Sequence, residues 1–288
     1  MLLLHSANGG GYLEMTPQNM EYVSGNDHGI YIHPQDNNFG GVVDPYTGTM
    51  HLNSIWYGFR RGGTNIVVDN TEKRVIRYTK LTRDNPIYQV YPTRIYVRGA
   101  SLGGGGAMHI AYHNPTFFAA ASSSTGWIDA DSGINGFFTS YVPLNTDYGT
   151  TWGNWINQAW LVDNTSPTGP PIIYTFSKND PAVSNVGFPS LLTKTENMKN
   201  AHISEWRDLG HGQFFLGGNA DVFRFRLNEA YPAFASSSNS DSVDATLGQR
   251  NLYLDWSSSL HDLFGGSGDS IVDTSQSFAM TLLSNSSD

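Results

Sequence analysis

The residues whose types and order could do chemistry are Ser101, Asp180 and His211. Ser101 sits in Gly99-Ala100-Ser101-Leu102-Gly103, a G-x-S-x-G pentapeptide between the apolar run RIYVR and an alanine-containing segment that opens with four glycines. A serine hydroxyl is a poor nucleophile until a base takes its proton, and the base needs an acid to hold its tautomer. In chain order, IIYTF runs into Ser177-Lys178-Asn179-Asp180-Pro181, which supplies a carboxylate, and ISEWRD runs into Leu209-Gly210-His211-Gly212, which supplies an imidazole. The chemistry this set would support is acyl transfer through a serine nucleophile. Each residue alone has a plainer account: Ser101 as part of a tight turn, Asp180 as a turn residue before proline, His211 as a loop histidine with a structural hydrogen bond. A glycine-rich phosphate loop would also need the Lys of G-x-x-x-x-G-K-[ST], and none follows these glycines. The order Ser, Asp, His, with each group in a loop after a strand, favours the catalytic reading.

A nucleophile lifted to the edge of a sheet needs a strand before it and a helix after it, and the chain supplies that alternation. Short apolar runs at Met1 to His5, Gly29 to His33, Arg94 to Arg98, Phe118 to Ser122, Ile172 to Phe176 and Ile203 to Arg207 read as buried strands. Helical patterns lie between them: one from Thr16-Pro17, with an N-cap and proline at the first helical position, one from about Asn65 to Leu81, and one from Pro189 to Lys199. The pattern is that of an α/β protein with a doubly wound, mostly parallel sheet. Two stretches break the alternation, Asn37 to Gly63 and Asp129 to Pro171, both rich in Gly, Asn and aromatic residues. They read as functional surface loops near strand ends.

Past Phe215 the character changes. The expected division is a catalytic domain over 1–234, a Ser-rich linker over 235–245 (ASSSNSDSVDA) and a small β appendage over 246–288. In the appendage NLYLDW and SFAMTLL alternate with period two on either side of GGSGDS, which predicts that they pair as a hairpin.

Composition limits the partners. Only 14% of the 288 residues are charged and the net charge is −9, so there is no basic field to hold nucleic acid or an anionic membrane. No run approaches the roughly 18 to 20 apolar residues of a membrane span. The chain has no cysteine, which excludes disulfides, thiol catalysis and thiolate metal sites. His109 and His113 lie four apart, the spacing of a helical metal pair, but Ile-Ala-Tyr between them lacks the Glu of H-E-x-x-H, and neither metal nor organic cofactor is expected. Aromatic residues reach 13%, with 15 Tyr and 7 Trp. Trp56, Trp127 and Trp206 are the candidates for rings that stack on substrate, with core packing as the alternative for each. The N-terminal MLLLH is too short for a secretory signal and has no basic flank, so an exported protein would have its signal outside this sequence.

The segment TRIYVRGASLGGGGAMHIAYHNPTFFAAASSSTGW resembles the α/β-hydrolase fold, and within it the secreted esterases around polyhydroxyalkanoate depolymerase and the feruloyl and acetylxylan esterases. The resemblance covers roughly residues 1–215. It implies a serine carboxylic-ester hydrolase, secreted, in which Ser101 is the nucleophile, His211 the base and Asp180 its orienting acid. In that family the third strand ends in a His-Gly type sequence whose following N–H completes the oxyanion hole. Leu2 to Gly10 matches that strand, with Ser6 where the family usually has glycine, so the donors implied are Leu102 together with Ser6 or Ala7, and the family's first two strands would precede this sequence. The implied substrate is a polymer-linked or polysaccharide-linked ester. The alternatives are a serine peptidase resembling the prolyl oligopeptidase group, although no propeller-like repeat is present, and a noncatalytic carbohydrate-binding protein on the same fold.

Overall fold

The computed structural model describes residues 1–5, 29–34, 36, 42–43, 50–51, 56–60, 64–129, 144–164, 169–177, 180–184, 186–198, 200–207, 211, 222–223, 225–229, 270–274 and 277–281. In chain order the elements are β1 (Leu2–Leu4), β2 (Val42–Val43), β3 (Met50–His51), β4 (Phe59–Arg60), β5 (Ile66–Val68), α1 (Asn70–Asp84), β6 (Tyr96–Ala100), α2 (Leu102–His113), β7 (Ala120–Ser124), β8 (Asn145–Thr146), α3 (Trp152–Ile156), α4 (Gln158–Asn164), β9 (Ile172–Ser177), α5 (Phe188–Asn197), β10 (His202–Arg207), β11 (Ser270–Thr274) and β12 (Ser277–Thr281).

Five of these strands form one parallel sheet in the order β1-β6-β7-β9-β10. A parallel sheet needs a crossover between neighbours, and helices supply it. All six residues of β9 are buried, and so are all five of β7, whose AASSS sequence is small enough for α2 to lie close against it. Helix α2 is the centre of the molecule: every residue from Leu102 to Tyr112 is buried. Helix α1 is amphipathic instead. It buries Thr71, Glu72, Val75, Ile76 and Thr79, while Tyr78 and Leu81 face solvent.

Several expectations need correction. The helix predicted from Asn65 starts at Asn70, because the β-branched run Ile66–Val68 pairs with β4 and β8 as a strand. The strand predicted over Phe118 to Ser122 is shifted to Ala120–Ser124, because Phe117 still closes the turn that leaves α2, its N–H donating to Asn114 O, and the chain first meets the β6 side at Ala119 N–H to Ile95 O. The run Gly29 to His33 contributes a single parallel bridge, Ile32 beside Leu2. The stretch from Asn37 to Gly63 is not merely a surface loop, since Trp56 and Tyr57 within it are fully buried. In the C-terminal hairpin SFAMT pairs with Ser270–Thr274. The Thr16-Pro17 helix, the 235–245 linker and NLYLDW lie outside the described residues. Among the described residues no helix is long and apolar enough to cross a membrane.

The interior also holds histidines away from water. Burial lowers the His202 pKa to about 4, against which its hydrogen bond to the Asn200 carbonyl works only partly, and burial holds fully enclosed His109 well below the ordinary imidazole range. The unfolded chain protonates His202 near pH 6.5 and the folded one only near 4, so stability from this group is full above pH 6.5 and falls as pH drops towards 4. We expect the stability difference between pH 7 and pH 4.5 to shrink by about 2 kcal/mol in His202→Gln, measured by urea denaturation. An unchanged pH dependence would contradict the assignment.

Candidate active site

Strand β6 ends at Ala100, and the next residue, Ser101, has φ 52° and ψ −118° before α2 begins at Leu102. A side-chain-bearing residue at positive φ is strained by roughly 1–3 kcal/mol and persists only where its surroundings fix it. Here both ends are fixed: Ser101 N–H donates to Ser124 O at 2.9 Å, and Ser101 O accepts from Gly105 N–H at 3.1 Å.

The glycines of the motif follow from contact. A Cβ on Gly99 would lie 2.0 Å from Gly103 O, and one on Gly103 would lie 2.1 Å from Leu4 O and 2.7 Å from His5 O. The corner can close, and the end of β1 can reach the first turn of α2, only if both positions lack a side chain. The glycine run continues past the motif because two indoles press on the same helix, Trp127 at Gly105 and Trp56 at Gly106.

Because the sheet is parallel, β6, β9 and β10 deliver their following residues to one edge. Asp180 lies three residues past β9. Its Oδ1 accepts the backbone N–H groups of Ala182 at 2.8 Å and Val183 at 2.9 Å, and its Oδ2 faces His211 Nδ1 at 2.8 Å. The other ring nitrogen of His211, Nε2, lies 2.9 Å from Ser101 Oγ. Burial pushes the Asp180 carboxyl up, but the hydrogen bonds from His211, Val183 and Ala182 outweigh it and hold its pKa below the usual carboxylate value. The Asp180 side chain is 3% exposed and that of His211 22%, so the acid is enclosed while the imidazole reaches towards solvent. A hydroxyl, an imidazole and a carboxylate in line can move the hydroxyl proton to Nε2 and hold the resulting charge.

The remaining sequence candidates divide. Leu102 opens α2, where first-turn N–H groups lack intrahelical partners. Ser6 and Ala7 lie outside the described residues. Trp56 and Trp127 are 0% and 1% exposed, which corrects the expectation that they stack on substrate: the glycine face of α2 takes both rings into the core. Trp206 lies on β10, and its side chain is not among those described. His109 and His113 do not form a metal pair. His113 places Nδ1 2.8 Å from Glu72 Oε2 and Nε2 2.9 Å from Trp155 O, and Asn114 Nδ2 donates to Glu72 Oε1 at 3.1 Å. Among the described residues no group of three or more His, Cys, Asp or Glu is placed to hold a metal ion. Sequence reasoning did not find His5, Asp36 and the Trp56 backbone as a connected group. Asp36 N–H donates to His5 Nε2 at 3.0 Å and Asp36 Oδ2 accepts Trp56 N–H at 2.9 Å, a link between separate loops that no local pattern announces.

Among solved structures, an S-formylglutathione hydrolase from Agrobacterium tumefaciens superposes with a TM-score of 0.58 at 12% identity, over 77% of this chain and 80% of its own. The fold is that of the α/β-hydrolases. The S-formylglutathione hydrolase FrmB from Staphylococcus aureus matches at 14% identity over 77% of this chain and 80% of that one, with a TM-score of 0.49. SOBER1 from Arabidopsis thaliana matches at 14% identity over 77% and 94%, with a TM-score of 0.48. No curated protein matches the chain by sequence. Residues 85–170 match the family model described as "Putative esterase", and that span carries Ser101 and all of α2. With that match on this α/β-hydrolase fold, the chain is a carboxylic-ester hydrolase.

The contact between α2 and β1 makes a direct prediction. Gly103→Ala forces a methyl group into the Leu4 and His5 carbonyls and should cost roughly 1–3 kcal/mol in urea denaturation. Gly149→Ala, at φ 78° with nothing within 4 Å of the added carbon, should cost about 1 kcal/mol from backbone strain alone and leave ester hydrolysis unchanged. Equal loss of hydrolysis in both variants would contradict a special role for the Gly103 contact.

Proposed function

We propose that the chain hydrolyses carboxylic esters through a Ser101-His211-Asp180 triad and a covalent acyl-enzyme. The observation that carries this reading is the pair of hydrogen-bonding distances, 2.9 Å from Ser101 Oγ to His211 Nε2 and 2.8 Å from His211 Nδ1 to Asp180 Oδ2, between residues up to 110 positions apart. His211 Nε2 takes the hydroxyl proton as Ser101 Oγ attacks the ester carbonyl. Asp180 fixes the proton on Nδ1 and stabilises the imidazolium that forms. The tetrahedral oxyanion is held by the N–H of Leu102 and by a second donor in the segment after His5, Ser6 or Ala7. Each such donor is typically worth about 3 kcal/mol of transition-state stabilisation. The intermediate collapses to the acyl-enzyme while imidazolium protonates the departing alkoxide. Water, deprotonated by His211, then attacks the acyl carbon, the carboxylic acid leaves, and the proton returns to Ser101 Oγ. No metal or organic cofactor enters these steps.

For the substrate class we keep polymer-linked or polysaccharide-linked esters. The support is the resemblance of the elbow segment to depolymerases and to feruloyl and acetylxylan esterases, together with a composition rich in aromatic and small polar residues. The buried rings of Trp56 and Trp127 give this class no stacking platform. The same resemblance to secreted enzymes supports an extracellular location.

Ser101→Ala should reduce hydrolysis of p-nitrophenyl acetate and butyrate to under a few per cent with folding intact. Greater residual activity would remove Ser101 as the nucleophile. Asp180→Asn should lower turnover by about four orders of magnitude through the wrong histidine tautomer, and a loss under tenfold would move the acid elsewhere. A panel of polyhydroxyalkanoate, aromatic polyester, acetylated xylan and feruloylated xylan, with Pro-p-nitroanilide peptides beside it, tests the class. Turnover confined to the small p-nitrophenyl esters would contradict the polymer assignment, and anilide cleavage would favour the peptidase.

A further inference from the structure

Trp127 is delivered to α2 by a strained turn of the chain. The segment after β7 leaves the sheet at Thr125, whose φ of 48° is an outlier for a β-branched side chain. Two hydrogen bonds hold this turn: Ser124 O accepts Ser101 N–H at 2.9 Å, and Thr125 N–H donates to Thr175 O at 2.7 Å. The next residue, Gly126, lies so close to α2 that a Cβ there would meet Gly104 C and Gly105 N at 2.6 Å. Trp127 then lays its indole on the same helical turn. A Cβ on Gly105 would lie 2.2 Å from the ring atoms Cε2 and Nε1, and the indole N–H donates to Leu102 O at 3.3 Å. Filling the space beside Gly105 needs a flat ring. It does not need a donor aimed at the first carbonyl of the helix.

We infer that Trp127 is a positioning residue for the Leu102 N–H as oxyanion donor, an assignment that rests on the Ser101 hydrolase reading above. Leu102 stands between two peptide planes, and each is tied at its carbonyl. The plane before it carries the Leu102 N–H itself and is held where Ser101 O accepts Gly105 N–H at 3.1 Å. The plane after it is held where Leu102 O accepts the indole N–H. Peptide groups are planar, so the bond at Ser101 O sets the direction of the N–H at the other end of that peptide. The indole acts on both ties: it packs on Gly105, the donor to the first, and is itself the donor to the second. Small misplacements of an oxyanion donor relative to the nucleophile lower turnover sharply. Thr125 and Gly126 act behind the ring by fixing where residue 127 stands.

Site-specific replacement of Trp127 by 3-benzothienylalanine keeps the bicyclic shape and removes the N–H donor. The expected result is a fall in kcat on p-nitrophenyl butyrate of about tenfold, less than the loss of an oxyanion donor itself, with KM and the melting temperature close to those of the parent. The affinity for a butyl trifluoromethyl ketone, which forms an oxyanion on a serine nucleophile, should fall by the same factor. The midpoint of the kcat/KM pH profile should stay at the parent's value, because the bonds joining Asp180, His211 and Ser101 Oγ do not involve the indole. Trp127→Phe should lower kcat and ketone affinity together after rates are normalised by active-site titration. The inference is overturned if the isosteric variant keeps kcat and ketone affinity within twofold of the parent, if the loss disappears once inactive molecules are discounted, or if the pH midpoint moves, which would place the effect on the base. Failure of the underlying reading shows separately: the parent chain would then not be inhibited by the ketone at all.

Discussion

The contact between the first turn of α2 and the backbones of β1 and β6 is the constraint from which the rest of the site follows. With Gly103 against the Leu4 and His5 carbonyls and Gly99 against the Gly103 carbonyl, three chain segments meet with no side chain between them. That closeness turns the chain sharply enough to put Ser101 at positive φ, leaves the first-turn N–H groups of α2 without intrahelical partners, and brings the His5 carbonyl beside Gly103. Relaxing it by one methyl group would move Ser101 and the first turn of α2 together. The glycines further along the helix extend the same logic, because an α2 free of side chains on that face lets Trp56 and Trp127 wedge against it and hold its position in the core.

Two carboxylates enclosed in this interior are each met by an imidazole and by N–H donors. Asp180 is a buried carboxylate whose desolvation is offset by two backbone N–H groups and the His211 ring, an arrangement that keeps it ionised and its partner oriented. Glu72 uses the same device at the other end of α2, where His113 and Asn114 hold it. The two clusters have similar chemistry and differ in what the imidazole faces. His211 Nε2 meets a hydroxyl at a partly open edge, whereas His113 Nε2 meets the Trp155 carbonyl inside the packed helices. An imidazole whose second nitrogen is bound to a carbonyl has nothing to deprotonate, so only the first arrangement can act as a base.

How much of this the sequence announces depends on how local the cause is. The elbow was legible because a strand, a G-x-S-x-G turn and a helix are adjacent in the chain, and Asp180 and His211 were legible because a parallel sheet sends every post-strand loop to one edge. The mostly parallel sheet and most of its strand positions were legible from the alternation of apolar runs with helical patterns. The role of the tryptophans was not: an aromatic residue in a Gly- and Asn-rich stretch looks like a surface platform until the glycine face of α2 is seen beneath it. Nor was the boundary at Asn70, where a β-branched run continues the helical pattern backwards and only pairing with β4 and β8 reveals a strand. Nor was β11, because Ser270–Thr274 reads as part of the Gly-Ser turn region and only its pairing with SFAMT reveals a strand.

The central claim is that Ser101 is the nucleophile activated by His211, and covalent labelling tests it without choosing a substrate. The intact protein is treated with an alkyl fluorophosphonate at neutral pH and digested, and the modified peptide is sequenced by mass spectrometry. The account predicts one adduct per chain, on Ser101, formed far more slowly when His211 is replaced by Ala. An adduct on a different residue, or labelling of Ser101 at the same rate without His211, would contradict it.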